Sequence, residues 1–218
     1  MSEAREAVLG RIAAALGPGR PGPGGGPSAW PAGAGDAGGL VGLFSARTEE
    51  HGARVQVVPA SGDDAVRAAI AAVCDRHGAR RVGVPVGFPA GWLPVSPAAV
   101  AIGAVTRAEL AALDGLDATL TRCALAIAET GTIVLDGGSG QGPRAASLLP
   151  DLLVCVVEAS AIVAGVRGAI PRLGRRVRET GRPLTFISGP SATSDIELRR
   201  VEGVHGPRRL EVVLVSGP

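Results

Sequence analysis

The chain contains no lysine, so all 22 of its basic residues are arginine. This absence excludes Schiff-base chemistry, a Walker lysine and a lysine general base. Tyrosine is also absent and aromatic residues make up 2% of the chain, so the core is expected to consist mainly of Val, Leu, Ile and Ala. With a net charge of +2, scattered arginines and no aromatic platform, the sequence does not indicate nucleic-acid binding.

Cysteine is sparse, and its spacing lacks the patterns typical of cofactor sites. Cys74, Cys123 and Cys155 occur singly in apolar stretches, with no C-x-x-C pair. This spacing argues against a disulfide framework, a zinc site or an iron–sulfur cluster in this chain. The three thiols are expected to be reduced core residues, and no cofactor is expected in this chain.

Long hydrophobic runs are missing too. The N-terminal segment carries Glu3 and Glu6 and has no apolar signal region, and no stretch of about 18 uninterrupted apolar residues occurs elsewhere. We therefore expect a soluble, cytoplasmic protein without membrane insertion.

The composition changes sharply along the chain and predicts three segments. Residues 1–16 have apolar positions spaced as on one face of a helix, and this stripe needs a partner surface. Residues 17–39 contain ten glycines and five prolines, which predicts a flexible linker. The folded domain is expected to span residues 40–218.

Within that domain, apolar strand patterns alternate with helical ones. The predicted strands are 54–58, 81–85, 100–103, 123–128, 132–135, 152–157, 184–187 and 210–215, and the predicted helices are 63–77, 106–113 and 159–173. Several of these strands are apolar on both faces. The pattern indicates an α/β fold with a mostly parallel sheet covered by helices on both faces, and with antiparallel pairing around Gly131 and at the C-terminal edge.

Small and hydroxyl residues are concentrated at 186–197, where a strand is expected to lead into a helix. A helix N-terminus there would offer unpaired N–H groups to a carboxylate or a phosphate. The alternative is that Ser194 and Glu197 form a capping box and occupy those donors themselves.

Glu129 is the most chemically conspicuous residue, because it interrupts an otherwise apolar run before Thr130, Gly131 and Thr132. A buried carboxylate must be paired, hydrogen-bonded or protonated. Glu129 is a candidate general base, nucleophile or substrate anchor. The alternative is that it ends a strand at a turn and pairs with an arginine such as Arg144.

A glycine-rich loop at 136–142 precedes Pro143 and Arg144 and resembles a phosphate cradle, although it fits neither a dinucleotide nor a Walker motif. A mobile connecting loop is the alternative. Arg144 can clamp a carboxylate with two hydrogen bonds, unless it pairs with Glu129 or Asp136.

His205 lies between glycines in a turn before the last strand, where a side chain can point into a cleft or bond to the backbone.

Several of these motifs together resemble the lactate utilization protein C family of LUD-domain proteins, over residues 40–218. The residues that carry the resemblance are Glu129 to Thr132, Arg144 with 147–150, 186–191 with Thr193 and 195–197, and 203–207 with 212–215.

The resemblance implies an α/β fold similar to the group of ribose-5-phosphate isomerase, glucosamine-phosphate deaminase and CoA-transferase. It also implies a role in oxidising L-lactate to pyruvate beside partner proteins that carry iron–sulfur clusters.

Two classes of function follow from these observations. In the first, the chain is a substrate-handling or catalytic subunit that grips a small carboxylate. Its candidate catalytic residues are Glu129 and His205, and its candidate substrate-binding residues are Thr130, Gly131, Thr132, Arg144, Ser147, Ser188, Gly189, Ser191 and Thr193. In the second, it is a non-catalytic assembly or regulatory subunit whose N-terminal segment reaches a partner. An isomerase or transferase acting on a phosphosugar or CoA ester is a third alternative, from fold analogy.

Overall fold

The computed structural model describes residues 37–103, 107–193, 201–202 and 206–217, together with 6–8, 10, 11 and 14. By its contacts the chain divides into two units, Met1–Ala34 and Gly35–Pro218. The described positions of the first unit are helical. The predicted linker at 17–39 lies outside the described residues except for 37–39, which belong to the first helix of the second unit.

In the described residues of the second unit, twelve strands and four α-helices follow one another. The strands are β1 (Arg54–Pro59), β2 (Arg81–Pro85), β3 (Ala98–Ile102), β4 (Ala118–Arg122), β5 (Leu125–Ile127), β6 (Thr132–Leu135), β7 (Leu152–Glu158), β8 (Ile162–Val163), β9 (Thr185–Ile187), β10 (Ala192–Thr193), β11 (Val201–Glu202) and β12 (Arg209–Ser216). The helices are α1 (Ala37–Glu50), α2 (Asp63–His77), α3 (Arg107–Asp114) and α4 (Val166–Thr180). Short 3-10 turns occupy Ala90–Trp92, Arg144–Ser147 and Ala159–Ala161.

A six-stranded sheet forms the centre of the fold, in the order β1-β12-β7-β4-β2-β3, and all of its pairings are parallel. A four-stranded sheet, β8-β5-β6-β9, contains the antiparallel pairs β5–β6 and β6–β9. The strands β10 and β11 form a separate antiparallel pair. The predicted mostly parallel α/β fold is therefore confirmed, as is the antiparallel pairing around Gly131.

Different elements cover the two faces of the large sheet. On one face, α2 packs its buried residues against side chains of β2, β4, β7 and β12. On the other, α1 and the small sheet bury the alternate side chains of β7 and β12. The helix α4 then covers the outer face of the small sheet through Ala169 and Leu173. In the described part of the chain, no helix has both the length and the apolar character needed to cross a membrane.

The helix α2 begins and ends where its sequence predicts. Asp63 and Asp64 occupy its first turn, where negative charge complements the helix dipole. Gly78 ends it in the left-handed conformation, which glycine adopts without steric cost. Near its end, Arg76 and His77 contact Glu211, a buried carboxylate on β12, at 3.0 Å and 2.6 Å.

The structure corrects the prediction of antiparallel pairing at the C-terminal edge. The strand β12 is parallel to both of its neighbours and lies between β1 and β7, inside the sheet. Its buried residues lie on both faces, which is typical of an internal parallel strand.

Four other elements differ from the predicted ones. The helix expected at 159–173 begins only at Val166, because Ile162–Val163 pairs with β5 instead. The strand β9 is an edge strand whose Phe186 is half exposed, and not a buried strand. Both α1 and β4 are absent from the prediction, since α1 adjoins the glycine-rich segment and β4 alternates threonine with apolar residues.

We predict that Gly131→Ala lowers the free energy of unfolding by at least about 2 kcal/mol, because it adds backbone strain and a steric clash. Gly131 has a φ of 56°, and a Cβ atom there would lie 2.5 Å from the backbone nitrogen of Thr48 on α1. Urea unfolding followed by circular dichroism measures the loss. The matched control is Gly168→Ala on α4, where nothing lies within 4 Å of the added atom and alanine favours the helix. Equal unfolding midpoints for the two variants would contradict this account.

Candidate functional site

A cleft of about 440 Å³ lies beyond the carboxyl ends of β2 and β3, between the glycine-rich loop and the segment that leads into β9. The chain leaves β2 toward β3 on one side, and after β4 it next re-enters this sheet at β7 on the other side. Parallel sheets bind ligands where neighbouring connections diverge in this way. The topology therefore places the cleft beside a typical ligand-binding position.

The glycine-rich loop at 136–142 is inserted at this divergence. Gly140 donates a hydrogen bond to the Val86 carbonyl at the end of β2, and its own carbonyl accepts one from the Arg122 amide at the end of β4, both at 2.9 Å. A side chain at Gly140 would meet the Gly87 carbonyl at 3.1 Å, and its φ is 74°. These contacts hold the loop between the two strand ends.

Asp136 fixes the start of the same loop. Its buried carboxylate accepts hydrogen bonds from the Gly138 amide at 3.0 Å, the Gln141 side chain at 2.8 Å and Arg176 of α4 at 2.6 Å. Gln141 also accepts a bond from the Asp136 amide at 2.7 Å. Asp136 is therefore hydrogen-bonded within the loop by Gly138 and Gln141, and Arg176 joins the loop to α4.

These contacts determine the charge of Asp136. Burial raises the pKa of its carboxyl, but the hydrogen bonds from Arg176, Gly138 and Gln141 and the charge of Arg176 lower the pKa by more. Asp136 is thus held as a carboxylate whose oxygens are already occupied.

Arg144 and Ser147 line the cleft, as do Arg182 and Thr185. Arg144 is exposed and forms no ion pair with any described residue, so its guanidinium is available to a ligand. Ser147 is buried and donates its hydroxyl hydrogen to the Arg144 carbonyl at 2.9 Å. Ser147 therefore holds the short turn that carries Arg144.

Several other predicted site residues lie together at the turn between β5 and β6. The Thr132 hydroxyl lies 2.7 Å from that of Thr130 and 2.8 Å from that of Ser188, which forms a chain of three hydroxyls. Gly131 is at the turn itself, where its carbonyl accepts a 3.4 Å bond from Thr48.

Glu129 lies beside this chain of hydroxyls but outside the strand. It is half-buried at the turn, its amide donates to the Ala164 carbonyl at 3.0 Å, and its carboxylate lies close to Gly165. It forms no ion pair with a described arginine or histidine, so the alternative pairing with Arg144 does not form. Partial exposure to solvent removes the need for a partner.

The remaining predicted residues follow β9. Gly189 lies against His51, and a side chain there would meet the His51 carbonyl at 2.8 Å. The Ser191 amide donates to the Pro207 carbonyl at 2.8 Å. Thr193 belongs to β10, while His205 and the proposed capping box at 194–197 lie outside the described residues.

The predicted site is therefore divided between two ends of β6. Glu129, Thr130 and Thr132 lie at its start, and the cleft residues Asp136 and Arg144 lie beyond its end. Four residues of extended chain, at about 3.4 Å each, separate Thr132 from Asp136 by about 14 Å.

Three polar side chains of this region were not predicted as site residues from the sequence, namely Gln141, Arg176 and Arg182. Gln141 is the one long side chain between the two ends of the glycine-rich loop, and this position is the signal that could have identified it. Nothing local distinguishes Arg176 or Arg182 from the other arginines of α4 and its C-terminal extension. Only the packing of α4 brings them to the loop.

We predict that Asp136→Asn lowers stability at neutral pH by about 1–3 kcal/mol, the typical effect of losing a buried charged hydrogen bond. The folded pKa of Asp136 lies below its unfolded value, so this stabilisation is complete above pH 5 and is lost as the pH falls through the folded pKa. Urea unfolding from pH 7 to pH 3 should show the difference from wild type shrinking in acid.

The control for that prediction is Asp151→Asn, which removes an exposed carboxylate 3.4 Å from Arg208 and should change stability little. A difference between wild type and Asp136→Asn that does not change with pH would contradict the assignment.

Comparison with known proteins gives one family. Residues 43–215 match the LUD domain. Lactate utilization protein C of Deinococcus radiodurans is 56% identical over 142 residues, which cover 63% of this chain and 64% of that protein. Lactate utilization protein C of Bacillus pumilus is 42% identical over 93 residues, covering 41% and 38%. The chain thus matches less than two thirds of the length of either relative.

A solved structure has the same fold. The crystal structure of a DUF162 family protein from Deinococcus radiodurans aligns with a TM-score of 0.67 and 38% identity, covering 82% of this chain and 98% of the other. The LUD match spans most of the second unit, from α1 to β12. The chain belongs to the LUD domain family.

Proposed function

We propose that this protein acts in lactate utilization by binding a small carboxylate, of the L-lactate or pyruvate type, in the cleft beside Arg144. The observation that carries the proposal is the exposed guanidinium of Arg144, which lacks an ion-pair partner among the described residues and lines a cleft of about 440 Å³. That volume lies within the usual range for small-molecule sites. A guanidinium binds a planar carboxylate through two parallel hydrogen bonds.

The lining of the cleft favours binding over proton transfer. Asp136 is the only carboxylate among its described residues, and its oxygens are occupied by Arg176, Gly138 and Gln141. A general base needs a free oxygen or nitrogen within reach of the substrate. This supports a subunit that handles substrate and leaves the redox step to another protein.

The lactate assignment rests on the relatives, whose printed names refer to lactate utilization. In our proposal the electrons of L-lactate pass to iron–sulfur partner proteins. The cysteines of this chain support that division, because at most two of them lie together: Cys74 is in one core cluster, and Cys123 packs beside Cys155 in another. In the described residues, no three Cys, His, Asp or Glu side chains are grouped to hold a metal ion.

Calorimetric titration of the full-length protein with L-lactate and with pyruvate tests the binding step. Arg144→Gln should weaken binding by about tenfold or more, because it removes a charged double hydrogen bond. The matched control is Arg208→Gln, which removes an exposed arginine next to the amino end of β12. No saturable binding of either acid by the wild type, or equal affinity in Arg144→Gln, would refute the carboxylate site.

A growth experiment tests the lactate role. A strain that lacks this gene and has no other lactate-oxidising route should fail to grow on L-lactate, and wild type should restore growth while Arg144→Gln should not. The variant Glu129→Gln distinguishes a site at the start of β6 from a site beyond its end. Failure of Glu129→Gln together with rescue by Arg144→Gln would move the site to the β5–β6 turn, and growth of the deletion strain itself would refute the lactate assignment.

A further inference from the structure

A second cavity, of about 780 Å³, lies on the other side of the glycine-rich loop, along α4. We call it the basic groove. Its charged lining residues are Arg172, Arg175, Arg176, Arg182, Asp136 and Glu179. Four positive charges minus two negative ones leave a net charge of +2 on this lining.

Most of that positive charge is not neutralised. Arg176 is paired with Asp136 at 2.6 Å, but Arg172 and Arg175 form no ion pair with a described residue. Arg182 donates one bond, to the Gly137 carbonyl at 3.3 Å. Three guanidiniums therefore face the groove with hydrogen-bond donors to spare, since each guanidinium carries five.

The groove is held in place by the fold. Arg175 and Arg176 follow Arg172 by three and four residues and precede Glu179 by four and three, so the four side chains lie along one face of α4. The pair between Arg176 and the buried Asp136 ties that face to the loop. The three arginines are exposed, and they extend from a helix that the pair between Arg176 and Asp136 joins to one wall of the cavity.

We propose that the basic groove binds a small molecule that carries two or more adjacent phosphate groups. Phosphate oxygens match the fork of a guanidinium, and a diphosphate offers enough oxygens to engage several arginines at once. Ser139 and Ser160 also line the groove and add neutral hydrogen-bond donors, whereas Thr180 donates its hydroxyl hydrogen to the Arg176 carbonyl at 2.8 Å. A single carboxylate could not satisfy three separate guanidiniums.

A small phosphorylated ligand fits this surface better than a nucleic acid does. The described lining contains no aromatic residue, and single-stranded nucleic acids are usually held by aromatic stacking as well as by charge. The arginines also surround one cavity and do not form a long basic stripe.

The groove is separate from the carboxylate cleft but adjoins it. Asp136, Gly138 and Arg182 line both cavities, while Arg144 lines only the cleft and Arg172 only the groove. The two sites can therefore be tested with different variants.

Isothermal titration of the full chain with inorganic pyrophosphate tests the proposal. The wild type should bind pyrophosphate saturably and more tightly than orthophosphate or sulfate. The double variant R172Q/R175Q should lose about tenfold in affinity or more, since each charged hydrogen bond contributes strongly. The matched control is R167Q/R178Q, which removes the same two charges from α4 at positions that do not line the groove. Thermal unfolding confirms that both double variants are folded.

The outcomes separate this site from the carboxylate cleft. Arg144→Gln should bind pyrophosphate like the wild type, whatever happens to its binding of L-lactate or pyruvate. No saturable binding of pyrophosphate by the wild type, or an equal loss in the control double variant, would overturn the proposal. Binding of a single-stranded oligonucleotide that depends on Arg172 and Arg175, without binding of pyrophosphate, would overturn it in favour of a nucleic-acid surface.

Discussion

The side of this protein that carries the cleft and the basic groove depends on one buried carboxylate. Asp136 lies where β6 leaves the small sheet, and a charge buried there must have its oxygens satisfied. It satisfies them with the loop that follows it and with Arg176 of α4. The same few contacts therefore hold the path of the glycine-rich loop, join the loop to α4, and form the wall shared by the cleft and the basic groove.

This arrangement shows how a chain without lysine places positive charge at two cavities. Arginine carries the positive charge at both cavities, and its role differs with its partner. Arg176 is neutralised by Asp136 and is structural, whereas Arg144 lines the cleft without an ion-pair partner among the described residues. The position of Asp136 decides that Arg176 is paired and Arg144 is not. A guanidinium paired with one carboxylate has fewer hydrogen-bond donors for another anion.

Glu129 and Arg144 show how far the site could be predicted. Both drew attention for sound chemical reasons, but the structure puts them at opposite ends of β6. The hydroxyls of Thr130 and Thr132, both candidate substrate-binding residues, lie 2.7 Å apart, since only one residue separates them. Contacts of that kind are local, and the sequence is enough to predict them. Asp136 and Arg176 are forty positions apart in the sequence, and no local sequence pattern predicts the contact between them.

The sequence by itself determined the elements whose signals are local: the strand at 81–85, the capped helix Asp63–His77, and the parallel α/β class that follows from strands apolar on both faces. Only the tertiary structure decided that β12 is an internal strand of the large sheet, that a second sheet covers one face of it, and which arginines lie at the glycine-rich loop. The physical reason is that periodicity and capping act over a few residues. Strand order and the pairing of buried charges depend instead on packing between segments far apart in the chain.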